Sequence, residues 1–329
     1  MRLIPGAHVL TRGEHSIQVG SRDPLVVIDP TVHERRFLER LDSAAATTPL
    51  ERARCAPLIE RLAAAGLLDQ HSAHGAKEPP RATLNDGGPI GCGIGLNLAR
   101  AGWSVTVNDV GRAVETPRGT YDPGSLAATR QAAAADTIRR LLPHSDVHSG
   151  PSHFDVAVIV AHGAPLIEAA VPLMAGDIPH LYVTTDEHGA RIGPLVIPGK
   201  GACGTCVGLA RSAADPLWPE LALQLTARRT RPQCAADATA QIVALSVAAL
   251  EWWRSTRDPD AGADALGPSL LAGGEAAPAA EWLNTVWTID SGRPPVPTPA
   301  PAQPDCGCGA TGPVGDELAA RRARMHGAS

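Results

Sequence analysis

Four cysteines carry the plainest chemistry in this sequence. Cys203 and Cys206 stand in C-x-x-C spacing; far along the chain, Cys306 and Cys308 stand in C-x-C spacing. C-x-x-C lets two sulfurs reach one ion from a tight turn, and C-x-C does so from an extended segment. Together they form the donor set of a tetrahedral thiolate site, for which zinc is the expected ion. A four-thiolate site has no open coordination position, so the expected role is closure of the fold and not catalysis. The alternatives are unligated thiols or a redox pair. Cys55, Cys92 and Cys234 are isolated and read as small buried apolar residues.

A second candidate is the glycine loop Asp86-Gly-Gly-Pro-Ile-Gly91, set between a short strand, Ala82-Thr-Leu84, and a helix from Cys92 to Ala101. A strand from Ser104 to Asp109 follows. This is the strand–loop–helix–strand unit of nucleotide-binding sheets, where the first glycine makes the turn, the second admits phosphate and the third lets helix pack on strand. Gly88 and Gly91 hold the second and third places. Asp86 holds the first, and a carboxylate beside a phosphate pocket is electrostatically unfavourable. Gly88, Gly91 and Asp109 are therefore the contacts of a degenerate nucleotide site, and ATP is not expected. His162, past a strand end, and His180, at a strand start, are placed like active-site residues but read as surface or packing positions. No Ser-His-Asp pattern emerges from the spacing.

The elements that must position these groups follow from periodicity. Ala7–Leu10, Ser16–Val19 and Leu25–Ile28 read as strands separated by turns. Helical patterning runs over His33–Leu41, then Leu50–Arg54 capped by Thr48, then Pro57–Leu67. Three strands and three helices describe a winged-helix-like domain over residues 1–70. Such a domain could bind DNA, serve as a structural or dimerising element, or capture a peptide. In the last case a guest strand pairs with Leu25, Val26, Val27 and Ile28, and the third helix supplies Leu58, Arg61 and Leu62 as the other wall. Residues 71–81 read as a linker. From 82 the pattern alternates: a helix to Leu142, an apolar strand Phe154–Val160, a helix Leu166–Met174, and strands His180–Thr184 and Ala190–Ile197. A long Ala-rich helix, Gln233–Trp253, and a strand, Trp282–Ile289, follow. Alternation of this kind predicts an α/β doubly wound sheet over residues 82–310. Pro294–Pro304 reads as an extended crossing, and residues 311–329 as a tail with a helix over Asp316–Met325.

Composition excludes several classes. The 329 residues are 44% hydrophobic but only 3% aromatic, so the core is built from Ala, Leu and Val. A net charge of −5 argues against a nucleic-acid partner. No apolar run has the length of a membrane span. The sequence shows no secretory signal and reads as cytoplasmic, and in such a reducing compartment seven cysteines, an odd number, favour metal ligation over disulfides.

Taken together, the glycine loop, Gly193-Pro-Leu-Val-x-Pro-Gly199 and Cys203-x-x-Cys206 resemble the ThiF-like, ubiquitin-activating-type adenylyltransferases. Asp215-Pro-x-Trp-Pro219, Pro304-Asp-Cys-Gly-Cys308 and the opening Leu3-x-Pro-Gly-Ala-His-Val-Leu10 narrow the resemblance. They are similar to the leader-peptide-binding partner proteins of thiazole/oxazole-modified peptide biosynthesis. The resemblance implies that the N-terminal domain binds a precursor's leader peptide as an added strand. A separate YcaO-type cyclodehydratase would then form azolines in the core peptide, and a homodimer is in keeping with the superfamily. Active relatives carry an aspartate where this chain has Ala161-His162-Gly163, and an Asn-x-x-Arg-Gln run with a following lysine after the strand ending at Asp109. Their loss implies an inactive adenylation scaffold. The rival is an active ATP-dependent adenylyltransferase acting on a peptide or carrier C-terminus; a DNA-binding regulator is a weaker third.

Overall fold

Alternation of buried and half-exposed residues builds the first sheet. The structure, a computed structural model, describes residues 1–4, 6–68, 78–121, 129–227, 233–257 and 282–310. The chain divides into two units, Met1–Glu78 and Pro79–Ser329. In the first, strands β1 (Val9–Arg12), β2 (Ser16–Val19) and β3 (Leu25–Ile28) form an antiparallel sheet in that order. Ile17, Val19 and Val27 point into the core, and their neighbours along each strand do not. Helix α1 (Val32–Asp42) supplies Phe37, Leu38 and Leu41 to the same core and α3 (Ala56–Ala64) supplies Leu58 and Leu62, while the short α2 (Pro49–Arg54) between them buries none of its residues. Thr31 and Thr48 each begin a helix with a reciprocal capping box, to Glu34 and Glu51.

The second unit is an eight-stranded sheet. Its first strands are β4 (Arg81–Leu84), β5 (Ser104–Val107), β6 (Val147–Ser149), β7 (Val156–His162) and β8 (His180–Thr185). Strands β9 (Gly189–Val196), β10 (Thr285–Asp290) and β11 (Val296–Pro299) complete it. The spatial order is β11-β10-β9-β8-β7-β4-β5-β6, parallel from β8 to β6 and antiparallel from β8 to β11. The short β6 escaped the sequence reading because only Val147 of its residues is apolar and buried. The proline-rich segment after β10 is not merely a crossing: β11 pairs with β10, and its prolines at 297 and 299 sit on a sheet edge, where a missing N–H is tolerated. The C-terminal helix expected over 316–325 lies outside the described residues, as does most of the expected linker.

Both faces of this sheet are covered, which explains its continuous apolar runs. Along β7, Val156, Val158 and Val160 belong to one core, with Ile94 and Leu98 of α4 (Pro89–Arg100), Ile138 of α5 (Arg130–Leu141) and Ile242 and Leu245 of α9 (Ala236–Thr256). Ala157 and Ile159 belong to the opposite core, with Ala170 and Leu173 of α6 (Ile167–Ala175) and Cys206 of α7 (Gly204–Ala214). Helix α8 (Trp218–Thr226) buries none of its residues. Among the described residues, no helix is long and apolar enough to cross a membrane.

His180 lies at the start of β8 with no solvent exposure. Its Nδ1 meets the Ile178 carbonyl at 3.0 Å, and its Nε2 has no partner among the described residues. Burial lowers its pKa below the ordinary 6.5. The stability this contributes is complete above that unfolded value and is lost as pH falls through the lower folded one. Over that window the unfolded chain takes up a proton that the folded chain refuses. Thermal melts between about pH 7.5 and about pH 5 should therefore fall more steeply for the native chain than for His180→Phe, by up to about 1.4 kcal/mol per pH unit. Parallel pH profiles would show that His180 is already protonated, or accommodated, in the folded state.

Candidate functional site

The cysteine cluster is assembled from two ends of the second unit. Cys203 caps α7, Cys206 lies in its first turn, and Cys306 and Cys308 arrive from the segment after β11. All four Sγ atoms lie within 4.8 Å of one another. The Cys203–Cys206, Cys203–Cys306 and Cys206–Cys308 separations are 3.8, 3.6 and 3.7 Å. These are far beyond a disulfide bond of ~2.0 Å. They match the edge of about 3.8 Å expected for a tetrahedron with ~2.3 Å metal–sulfur bonds. The backbone N–H of Gln303 donates to Cys206 Sγ at 3.3 Å, the kind of outer contact that orients a thiolate ligand. Burial pushes the Cys308 thiol up to about 11 and raises Cys306 as well, while at Cys206 burial is outweighed by the Gln303 N–H and the neighbouring sulfurs, which lower it. The close approach of the four sulfurs is what makes this donor set fit a metal ion. Cys55 and Cys92 are buried, and Cys234 is half-buried.

The glycine loop sits between β4 and α4, where the sheet order reverses: β4 lies between β5 and β7. Asn85 staples this crevice, donating to the Val160 carbonyl (3.1 Å) and accepting from the Val160 N–H (2.7 Å). Two of the loop's amides are held by carboxylates. Asp86 Oδ2 accepts from Gly91 N–H at 3.0 Å, and Asp109 Oδ2 accepts from Gly87 N–H at 3.0 Å. Gly91 is required here because the Asp86 carbonyl stands where a β-carbon would be. Asp109 also accepts from Gly111 N–H (3.0 Å) and from Arg130 Nε (2.8 Å), while Arg130 Nη1 reaches Glu115 at 3.4 Å. The Arg130 guanidinium occupies the space a side chain at Gly111 would need. Burial alone would lower the Arg130 pKa, but Asp109 holds it above the usual value. The Tyr121 hydroxyl donates to the Gly87 carbonyl, and burial pushes its pKa up to about 12.

Sequence reasoning missed Arg130 and Tyr121. Arg130 is a cation beside the loop, bound to Asp109. A signal was available, because an arginine in the first turn of a helix opposes the helix dipole and needs an anionic partner elsewhere. His162, at the end of β7, pairs its Nδ1 with Thr185 Oγ1 at 2.6 Å.

The third candidate is the edge of β3. Among the described residues β3 pairs only with β2. The Asp29 N–H donates to the His15 carbonyl, one step beyond the Ser16–Ile28 pair. Alternation then turns the N–H and C=O of Leu25 and Val27 toward β2, and those of Val26 and Ile28 outward. Arg61 Nη2 on α3 donates to the outward Val26 carbonyl at 3.0 Å. The Ile28 side chain is 74% exposed. The sequence expectation for the other wall is corrected in part. Leu58 and Leu62 are 1% and 0% exposed and belong to the core, as does the Val27 side chain. Helical spacing identified their shared face but not the sheet that covers it. Arg61 stands beside the edge.

No family model matches this chain, and no curated protein matches it. Solved structures do. MccB of E. coli with succinimide gives a TM-score of 0.57 at 13% identity, covering 94% of this chain and 99% of that one. The microcin C7 biosynthetic enzyme MccB in complex with N-formylated MccA gives 0.58 at 13% identity, covering 93% and 98%. E. coli MccB with ATP gives 0.55 at 13% identity, again covering 93% and 98%. At this identity the likeness is one of fold: the chain has the fold seen in these MccB structures.

Proposed function

We propose that this chain is a non-catalytic recognition protein for the leader of a ribosomal precursor peptide, which it presents to a separate YcaO-type cyclodehydratase for azoline formation. In this reading residues 1–70 form a winged-helix-like peptide-recognition domain, 71–81 a linker, and 82–310 a ThiF-like scaffold. The observation that carries it is the β3 edge, where Val26 and Ile28 turn backbone donors and acceptors outward beside Arg61. Such an edge takes an extended guest by main-chain hydrogen bonds, with side-chain pockets adding specificity. The fold neighbours crystallised with MccA suit the same reading.

The glycine loop favours binding without catalysis. A phosphate cradle works through free N–H groups at a helix start, and here Gly87 and Gly91 already donate to the chain's own carboxylates. Asp86 and Asp109 would also repel a phosphate, and Arg130 is committed to Asp109. The four cysteines hold zinc in this proposal. When bound, it supplies cross-linking of the segment after β11 to α7 and no reaction chemistry.

A labelled leader peptide from a precursor encoded in the same gene neighbourhood tests the reading. The whole chain should raise its fluorescence anisotropy without ATP. No binding would sink the proposal, and pyrophosphate exchange dependent on ATP and peptide would favour an active adenylyltransferase instead.

A further inference from the structure

Part of the start of α4 is already taken by the chain's own groups. Pro89 opens the helix, so its first position has no N–H. The Gly91 N–H is taken by Asp86 and the Gly87 N–H by Asp109, each at 3.0 Å. The Asp86 carboxylate lies 3.1 Å from where a side chain on Gly88 would begin, and the residue is 3% exposed. To a helix start, a carboxylate and a phosphate are the same kind of guest: anionic oxygen that accepts N–H bonds and meets the positive end of the dipole.

We infer that Asp86 is a built-in substitute for a nucleotide phosphate, whose carboxylate fills the cradle at the start of α4 and keeps nucleoside triphosphates out. The inference rests on reading this unit as a nucleotide-free scaffold, and it identifies the group responsible. Two other features could be credited with the exclusion. Tyr121 donates its hydroxyl to the Gly87 carbonyl, and His162 stands at the neighbouring strand end. Neither occupies the Gly91 N–H. Asp86 does, and its backbone is not in the left-handed region, so glycine there deletes the carboxylate without relieving strain.

The test uses the full chain, with magnesium–ATP and inorganic pyrophosphate as probes in isothermal titration calorimetry. The native protein should show no binding up to about 1 mM, and Asp86→Gly should bind magnesium–ATP at least about tenfold more tightly than native. Asp86→Asn keeps an acceptor for the Gly91 N–H but loses the charge, so it should bind more tightly than native and more weakly than Asp86→Gly. Tyr121→Phe should behave as native. Micromolar ATP binding by the native chain would overturn the inference. So would a folded Asp86→Gly, matched to native by circular dichroism, that binds no better. If Asp86→Gly does not fold, Asp86→Asn decides the matter, and equality with native counts against it. Leader affinity read on the same variants keeps the two ideas apart. Native protein that ignores the leader defeats the recognition proposal, while the nucleotide comparison stands or falls separately.

Discussion

Replacing Cys206 with serine will lower the melting temperature of the second unit by about 10 °C and remove the bound metal. Structural zinc sites contribute apparent binding energies of roughly 10–16 kcal/mol, much of it folding energy, so losing one ligand of four should cost at least about 3 kcal/mol. Cys206 is the member to remove. It is fully buried, lies 3.8 Å from Cys203 and 3.7 Å from Cys308, and accepts the Gln303 N–H. Its loss breaks the cluster at its centre without deleting a large apolar side chain. Metal analysis of the native chain should find about one zinc per protein, and scanning calorimetry should show the same downward shift with a strong chelator as with the variant. A native chain that is metal-free, or whose melt ignores the chelator, would mean that the four thiols pack without an ion. The first unit has its own core of Phe37, Leu38, Leu58 and Leu62. Chelation should therefore destabilise the second unit before leader affinity changes.

Val26→Pro will weaken leader binding roughly 10- to 100-fold while leaving the fold intact. The register turns the Val26 N–H away from β2, so the β2–β3 ladder does not use it. Proline there deletes one edge donor and places a ring where the guest backbone must lie. A lost hydrogen bond of about 1 kcal/mol plus the steric clash gives that range. The same substitution at Val27, whose N–H serves the ladder, would damage the sheet itself. A melting temperature within about 2 °C of native confirms that Val26→Pro is a fair test. If the folded variant binds as tightly as native, the guest does not pair with this edge.

The parts of this molecule that sequence made legible are those whose signal is local. C-x-x-C and C-x-C spacing announce two halves of a ligand set because each half is a turn or an extended step. The alternation of Ile17 and Val19 and the capping threonine at 48 likewise lie within a few residues of what they specify. What stayed hidden depends on contacts between distant segments. Arg130 looks like an ordinary first-turn residue until the fold brings Asp109 within 2.8 Å of it. Leu58 and Leu62 show the right spacing for an exposed groove wall and for a core face alike, and only the packing of α3 against β2 and β3 decides between them. Asp86 was visible as a misplaced carboxylate. That it satisfies Gly91 required the geometry of the turn.

The central claim is that an extended leader pairs with the outward edge of β3 and needs no nucleotide to do so. The measurement that tests it most directly is a fluorescence anisotropy titration of the labelled leader with the full native chain and with Val26→Pro, in the absence of ATP. The native chain should give a saturable rise, and the variant a curve shifted by at least about tenfold. Superimposable curves, or a native rise that appears only when ATP is added, would contradict the claim.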